Sequence, residues 1–385
     1  MKNRRVIILT IILVLVVSVS LLVVYFRSLS NKSPTNTPSL ATEENQTSTY
    51  DKTYNSLKIM AAGDILLARG VDSRLKKNNL SYSYPFEEVA SILRKGDIVF
   101  GNLESPITTN QSHLAGITEK GGKYIFSSNP ESVAGLTYAG FNILNIANNH
   151  ILDYYEKGLM DTIDILDKHN IAHSGAGKNL DEARKLAIIE KNGIKVGVLS
   201  YTDMAEITYK GNPPLKFAAG QNKIGVSPLI KESVLSDIYR VRGDVDLLIV
   251  SLHWGIEESF VIPERQREFA HTILDHGADA ILGHHPHQFQ GIEIYKEKPI
   301  VYSLGNFLFD QNDPENQEGF IVELDYKYNK LVDFNAVPIR ISDKTRVTKP
   351  VGDDAKNLID RQISMSNRLN TECSIKDNLV TFSLR

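Results

Sequence analysis

The chain has 385 residues, of which 42% are hydrophobic and 23% are charged, and its formal net charge is -3. This composition is typical of a globular protein and excludes a mostly disordered or collagen-like chain. Nucleic-acid-binding domains are strongly basic, so the near-neutral charge predicts no nucleic-acid partner.

The N-terminus combines a short basic segment, residues 1–5, with an uncharged apolar run, residues 6–26. In a helix the 21 residues of this run span roughly 30 Å, the hydrocarbon thickness of a bilayer. Because Lys2, Arg4 and Arg5 precede the run, we expect a cytoplasmic N-terminus and an exported remainder. The run ends in a poor cleavage site, so we interpret it as an uncleaved single-pass anchor in the cell membrane, with a cleaved signal peptide or a buried helix as alternatives.

The next segment, residues 27–56, is rich in Ser, Thr, Asn and Pro. Such a composition cannot bury a core and predicts a flexible stalk that holds a domain away from the membrane. We expect the folded domain at residues 57–341. Residues 342–385 have weaker patterning and are expected as a C-terminal extension, with a short helix around residues 358–369.

Short apolar runs alternate with amphipathic stretches along residues 57–341. The runs have the length of strands, and strands this apolar are buried on both faces of a sheet. The pattern therefore predicts an α/β fold. The predicted strands are 57–62, 97–103, 142–147, 195–201, 245–253, 278–283, 300–304 and 320–324, and the predicted helices are 158–169, 180–185 and 263–275.

Polar residues follow six of the apolar runs. The carboxyl ends of parallel strands meet at one edge of an open α/β sheet, where ligands bind. Carboxylate, amide and imidazole groups gathered there suit Zn, Mn or Fe(II). A single polar residue after a strand is more often a turn or cap residue, so the prediction depends on their common placement. The six segments are Gly63-Asp64, Gly101-Asn102-Leu103-Glu104, Asn148-Asn149-His150, His253-Trp254-Gly255, Gly283-His284-His285-Pro286-His287 and Gly305-Asn306.

As an ordered set, these motifs resemble those of the CapA family of poly-gamma-glutamate capsule synthesis proteins, which are similar to calcineurin-like metallophosphatases. The resemblance covers about residues 57–309. It implies a metallophosphatase-like α-β-β-α sandwich, here preceded by the N-terminal transmembrane helix. It also implies a set of metal ligands, namely Asp64, Asn102, His253, His285 and His287.

Two positions depart from the metallophosphatase pattern. Leu66 stands where the first motif has a second ligand, and neutral Asn102 stands where an aspartate bridges two metals. Because a bridging carboxylate offsets the repulsion between two ions, we expect one divalent ion (Mn, Zn or Fe) rather than two. The choice between His284 and His285 as a ligand depends only on the His-x-His spacing and stays open.

Further roles follow if the site is catalytic. His150 would be the general acid or a transition-state donor, with Asn149 beside it as a further catalytic residue, and Glu104 would be a ligand or a base. Asn306 would position substrate. Trp254 would either stack on a ligand or pack against the surrounding loops.

The function predicted first is that of a membrane-anchored, extracytoplasmic component of capsule or exopolymer synthesis or export. Its partners would be membrane-bound polymer synthase subunits and an anionic polymer or its precursor. The alternatives are a metal-dependent hydrolase of a phosphoester or amide-linked polymer, and a non-catalytic domain that binds polymer or a partner. A domain on the outer face is poorly placed for ATP-dependent ligation, so a polymer ligase would be a separate protein.

Overall fold

The computed structural model describes residues 55–114, 124–209 and 215–384. The predicted anchor, residues 6–26, lies outside these ranges. Among the helices of the described ranges, none combines the length and the apolar character needed to cross a membrane.

Twenty strands and eight α-helices occur in the described residues, joined in places by short 3-10 turns. In chain order the strands are β1 (Ser56–Ile65), β2 (Ile98–Leu103), β3 (Ile143–Asn145), β4 (Ala172–Ser174), β5 (Ala176–Gly177), β6 (Ala187–Lys191), β7 (Ile194–Thr202), β8 (Thr208–Tyr209), β9 (Leu215–Lys216), β10 (Gly225–Val226), β11 (Leu247–His253), β12 (Ala280–His284), β13 (Ile292–Tyr295), β14 (Lys298–Val301), β15 (Asn306–Leu308), β16 (Glu318–Lys327), β17 (Lys330–Ser342), β18 (Arg346–Thr348), β19 (Cys373–Lys376) and β20 (Leu379–Phe382). The helices are α1 (Arg69–Lys77), α2 (Ala90–Leu93), α3 (Val133–Ala139), α4 (Tyr155–Lys168), α5 (Leu180–Ala183), α6 (Lys231–Val241), α7 (Glu264–Asp275) and α8 (Gly352–Asn367).

Two main sheets organise these strands. The large sheet has the order β19-β20-β17-β16-β1-β2-β3-β4, with β15 paired to β1 and β18 to β17. The small sheet has the order β13-β14-β12-β11-β7-β6. The centres of both sheets are parallel: β1 to β4 in the large sheet, and β7, β11, β12 and β14 in the small one.

The two sheets pack face to face, with helices against their outer faces. Ile59 and Phe100 of the large sheet share one core with Val198 and Ile249 of the small sheet. On β1, Met60 points to the opposite face, into a second core with helices α1 to α4, because successive strand side chains alternate. A third core joins the outer face of the small sheet to α6 and α7. The predicted α/β class is confirmed, and the layers follow the order helix, sheet, sheet, helix.

The segment after residue 341, expected as an extension, is integrated into this fold. β18, β19 and β20 lengthen the large sheet, and α8 covers the position of the expected helix. Leu358, Ile359, Val380 and Phe382 lie in the core between the sheets. These residues lie on short elements near the end of the chain, and their burial depends on neighbours that are distant in sequence.

Candidate functional site

The large sheet contributes carboxylates and amides at the carboxyl ends of its parallel strands. In the register of β1, Asp64 pairs with Asn102 of β2 and with Asn306 of β15. Glu104 follows β2 directly, and its backbone N–H donates to the Ile65 carbonyl at 3.0 Å. Four polar side chains from three separate segments of the chain therefore lie close together, and all four are buried.

Glycine is required where β1 approaches the loop before β15. The Asp64 N–H donates to the Gly305 carbonyl at 3.0 Å, and a Cβ on Gly63 would lie 1.8 Å from that oxygen. Gly305 itself has φ +72°, a backbone conformation that favours glycine. The glycines of the Gly-Asp and Gly-Asn motifs thus allow the close backbone contact between these two segments.

The small sheet contributes imidazoles. His253 ends β11 and is in register with His284, which ends β12. His285 and His287 follow β12 with φ values of +98° and +61°, in the left-handed region. Such conformations cost on the order of 1–3 kcal/mol for residues other than glycine, and they cluster at functional sites. Side-chain contacts hold both imidazoles in place: His285 Nδ1 lies 3.1 Å from His253 Nε2, and His287 Nδ1 lies 2.9 Å from Asn306 Oδ1.

Asp64 connects the two sheets. Its Oδ1 accepts from Asn102 Nδ2 at 2.8 Å, and its Oδ2 accepts from the His285 backbone N–H at 3.2 Å. His284 Nδ1 lies 3.2 Å from Asp64 Oδ1. Burial acts to raise the pKa of Asp64, but His284, His287 and the Asn102 amide outweigh it, so the pKa lies below its usual value. Asp64 is therefore ionised at neutral pH.

His253 lies at the centre of the cluster. Its Nε2 is 2.8 Å from Asn149 Oδ1 and 3.1 Å from His285 Nδ1, and its Nδ1 is 3.3 Å from Asn102 Nδ2. Burial and the neighbouring imidazoles hold the pKa of His253 well below its usual range. Burial also lowers the pKa of His285 to about 4. Both imidazoles are neutral at pH 7, the form that binds metal ions.

Glu104 supplies a buried carboxyl group with an unused oxygen. Burial, followed by repulsion from Asp64, raises its pKa well above the usual value. Its Oε2 is 3.3 Å from Asn102 Nδ2, whereas Oε1 has no hydrogen-bond partner among the described residues. Asp64, Glu104 and His253 each offer one ligand atom, and these atoms lie within 4.8 Å of one another. Carboxylate oxygens with an imidazole nitrogen fit a divalent ion such as Mn, Zn or Fe(II).

Asn306 holds His287 in place. Its Oδ1 lies 2.9 Å from His287 Nδ1, while its Nδ2 donates to Gln311 Oε1 at 2.7 Å and to the Asn316 carbonyl at 2.8 Å. Both polar atoms of the side chain are thus engaged within the protein. This geometry favours a positioning role for Asn306 over the predicted contact with substrate.

Trp254 is buried and packs against Tyr302. It is 2% exposed, its indole N–H donates to the Tyr302 carbonyl at 3.1 Å, and its ring stacks on Tyr302 with centroids 6.2 Å apart. The packing alternative is therefore favoured over stacking on a ligand.

His150 lies beside the cluster with partners of its own. Its Nδ1 is 2.8 Å from Asp153 Oδ2, and its ring stacks on Phe126 with centroids 3.9 Å apart. Asp153 also accepts from the Phe126 backbone N–H at 2.8 Å, and burial raises the pKa of Asp153. His150 is close enough that its charge acts to lower the pKa of His253 and of His285.

Sequence reasoning assigned no role to Asp153, Phe126 or Asn148. Asp153 lies three residues after His150, a spacing that offers a signal for its pairing. Asn148 belongs to the Asn-Asn-His motif, yet only Asn149 and His150 received a function. Phe126 lies far from any motif and gave no signal.

The protein is thus an α/β sandwich with a buried carboxylate, amide and imidazole cluster where its two sheets end together. The chain belongs to the family described as bacterial capsule synthesis protein PGA_cap, whose sequence model matches residues 58–311. The resemblance to CapA proteins predicted from the motifs is confirmed.

Curated relatives cover most of the chain. It is 34% identical to the "PGA biosynthesis protein CapA" of Bacillus subtilis (strain 168), over 86% of this chain and 84% of that protein. It is 32% identical to the "Capsule biosynthesis protein CapA" of Bacillus anthracis, over 85% and 78% respectively. A "probable polyglutamine synthesis accessory protein" of Mycobacterium tuberculosis is 28% identical, over 73% and 76%.

One solved structure, a putative 5'-nucleotidase from Staphylococcus aureus, aligns with a TM-score of 0.42 at 12% identity, over 80% of this chain and 58% of that chain. A likeness this weak says nothing about the site, so the relation to metallophosphatases stays a prediction.

Proposed function

We propose that this protein is a membrane-anchored, extracytoplasmic component of the synthesis or export of a capsule polymer of the poly-gamma-glutamate type. The observation that carries the proposal is the family match over residues 58–311, with relatives named for capsule or polyglutamine synthesis. The basic segment and apolar run at residues 1–26 support the anchor and the orientation. The polymer synthase subunits would be its membrane partners.

We further propose that the cluster, on a metallophosphatase-like fold, holds one divalent ion. Asp64, Glu104 and His253 would bind it, with His285 and His287 adjacent. A divalent ion held there would supply Lewis-acid polarisation of a phosphoryl or acyl oxygen. The neutral His253 and His285 and the ionised Asp64 are already in the protonation states that ligands need. Glu104, whose pKa burial raises, would release its proton when the ion binds.

His150 is the candidate proton donor of this site. Nδ1 lies 2.8 Å from Asp153 Oδ2, and a proton on Nδ1 would be donated to this carboxyl group and fix the orientation of the ring. Nε2 is then the atom that would exchange a proton with a bound polymer or precursor.

Complementation tests the role in polymer synthesis. In the capsule-forming host with its own copy deleted, the wild-type gene should restore surface polymer. The variant His253→Ala should fail to do so, because it removes a central ligand, while the protein stays anchored and folded. The matched control is His276→Ala, an exposed histidine at the end of α7. Normal polymer in a His253→Ala, His285→Ala double variant would show that the cluster is vestigial and that the domain is a docking surface.

A second candidate function is that of a metal-dependent hydrolase. The observation in its favour is that Asp64, Glu104 and His253 offer ligand atoms within 4.8 Å of one another. With its neutral Asn102, the site should hydrolyse simple phosphoesters slowly or not at all. Rapid Mn²⁺-dependent turnover of a phosphodiester by the purified protein would favour the hydrolase over the accessory role. Polymer binding without turnover would favour the non-catalytic binding domain.

A reporter fused to the C-terminus tests the proposed location and should be active only outside the cytoplasm. Release of the domain into the medium, with a new N-terminus near residue 27, would show that the apolar run is a cleaved signal.

A further inference from the structure

The orientation of the Asn148 side chain is fixed by the backbone. Its Oδ1 accepts from the His150 N–H at 3.1 Å and from the Ile151 N–H at 2.9 Å. Its Nδ2 donates to the Leu103 carbonyl at 2.8 Å. Backbone groups have a single hydrogen-bonding role, so the Asn148 oxygen and nitrogen cannot exchange places without losing three hydrogen bonds.

Asn148 in turn fixes the Asn102 amide. The second N–H of Asn148 Nδ2 donates to Asn102 Oδ1 at 3.2 Å. A donor there requires the oxygen of Asn102 on that side, so the Asn102 NH2 group faces the other way. Both asparagines are buried, and water does not compete for these contacts.

The NH2 group of Asn102 lies among the candidate metal ligands. Its nitrogen is 2.8 Å from Asp64 Oδ1, 3.3 Å from Glu104 Oε2 and 3.3 Å from His253 Nδ1. These three residues are the ones whose ligand atoms lie within 4.8 Å of one another. A donor carrying partial positive charge therefore lies beside the three residues that would attract a cation.

We propose that Asn148 is a positioning residue that holds the Asn102 NH2 group between Asp64, Glu104 and His253, and thereby lowers the affinity of the site for a divalent ion. Binding an ion requires the Asn102 amide to move away or to rotate so that Oδ1 faces the ion. Rotation places the Asn102 NH2 against the NH2 of Asn148, two donors facing each other, so the contact with Asn148 is lost. This inference rests on the proposed metal-binding role of the site.

Two substitutions test the roles of Asn148 and Asn102 separately. Asn148→Ser keeps a side-chain oxygen that accepts from the backbone two residues on, but it is too short to reach Asn102. Asn102→Asp presents a carboxylate oxygen to the cluster in either rotamer. The matched control is Asn335→Ser, another buried asparagine, which bonds Thr381 and Asp333 on the large sheet.

The measurement is the affinity of the purified full-length protein for Mn²⁺ by isothermal titration calorimetry, with circular dichroism to verify folding. Outer-shell partners typically change metal affinity 10- to 100-fold, so we expect Asn148→Ser to bind about tenfold more tightly than the wild type. Asn102→Asp should bind more tightly still, and Asn335→Ser should match the wild type. A gain in affinity distinguishes positioning from a merely structural role, since loss of structure weakens binding.

Three other results would contradict the positioning role of Asn148, the effect of the Asn102 NH2 group or the metal-binding role of the site. If the wild type binds Mn²⁺ and Asn148→Ser binds equally or more weakly, the positioning role is wrong. If Asn148→Ser does not fold, Asn102→Asp decides: without a gain in affinity, the Asn102 NH2 group does not oppose metal binding. If neither the wild type nor Asn102→Asp binds Mn²⁺, the proposed metal role fails, and this inference fails with it.

Discussion

The two halves of the candidate site differ in chemistry although they meet at one edge. The large sheet and its loops provide the carboxylates and amides, and the small sheet and the loop after it provide the imidazoles. Contacts such as those of Asp64 with His285 and of Asn149 with His253 join the large-sheet half to the small-sheet half. Neither half alone is a metal site, so the cluster depends on the packing that brings the sheets together.

Burial shifts the pKa values of the two halves of the site in opposite directions. It raises the pKa of Glu104 in the large-sheet half and lowers the pKa of His253 and His285 in the small-sheet half. In each case the uncharged form is favoured, because a low-dielectric interior penalises charge. Asp64 differs, since contacts with groups from both sheets outweigh burial and favour its ionised form. This carboxylate is the electrostatic link between the halves.

Removing that link should have the largest effect on stability. Asp64→Ala leaves the buried His285 N–H without its acceptor, takes the shortest hydrogen bond from the Asn102 NH2, and removes the charge beside His284. We expect a loss of about 3–5 kcal/mol in the free energy of unfolding. Urea titration of the purified protein measures it. The control is Asp325→Ala. Asp325 lies on β16, is partly exposed and pairs with Lys58 of β1, so its loss should lower the free energy of unfolding by about 1 kcal/mol or less. Equal losses in the two variants would contradict the role of Asp64 between the sheets.

A pH series tests the imidazole half. The unfolded His285 imidazole takes up a proton near pH 6.5, whereas the folded one does so only near pH 4. The unfolded state therefore binds more protons in this interval, and stability falls as the pH decreases. Between pH 7 and pH 4, the wild type should lose on the order of 3 kcal/mol more than His285→Gln. The raised pKa of Glu104 acts in the opposite direction in both proteins and cancels in the difference. His285 also helps to lower the pKa of its neighbour His253, so the difference reports His285 together with its effect on His253. Parallel stability curves would show that His285 is not held neutral.

The smallest effect is expected at Trp254, adjacent to the imidazole half in sequence. Trp254→Phe keeps an aromatic ring against Tyr302 but loses the indole hydrogen bond and part of the buried ring volume, which together should cost about 2 kcal/mol. Mn²⁺ affinity and surface polymer should be unchanged, as measured by calorimetry and by the complementation assay. A loss of polymer in a protein of near-normal stability would instead favour the contact with ligand.

The sequence predicted the strands with a continuous apolar run, such as β2 and β11, because a buried parallel strand is recognisable from its own residues. It gave no signal for β17, which carries Asp333, Asn335 and Pro338 among its apolar residues. Helix α1 was also missed, since only Val71 and Leu75 are buried along it. These two elements depend on burial against distant neighbours rather than on a local pattern.

By itself, the sequence determined which side chains end the strands and therefore which could meet at one edge. Only the tertiary structure decided their pairing. It placed the adjacent His284 and His285 differently, the first at the end of β12 beside Asp64 and the second in the strained loop beside His253. It also placed Asn148 against Asn102 and Asp153 against His150. The physical reason is that strand composition is local, whereas these contacts arise from strand register and from the packing of one sheet on the other.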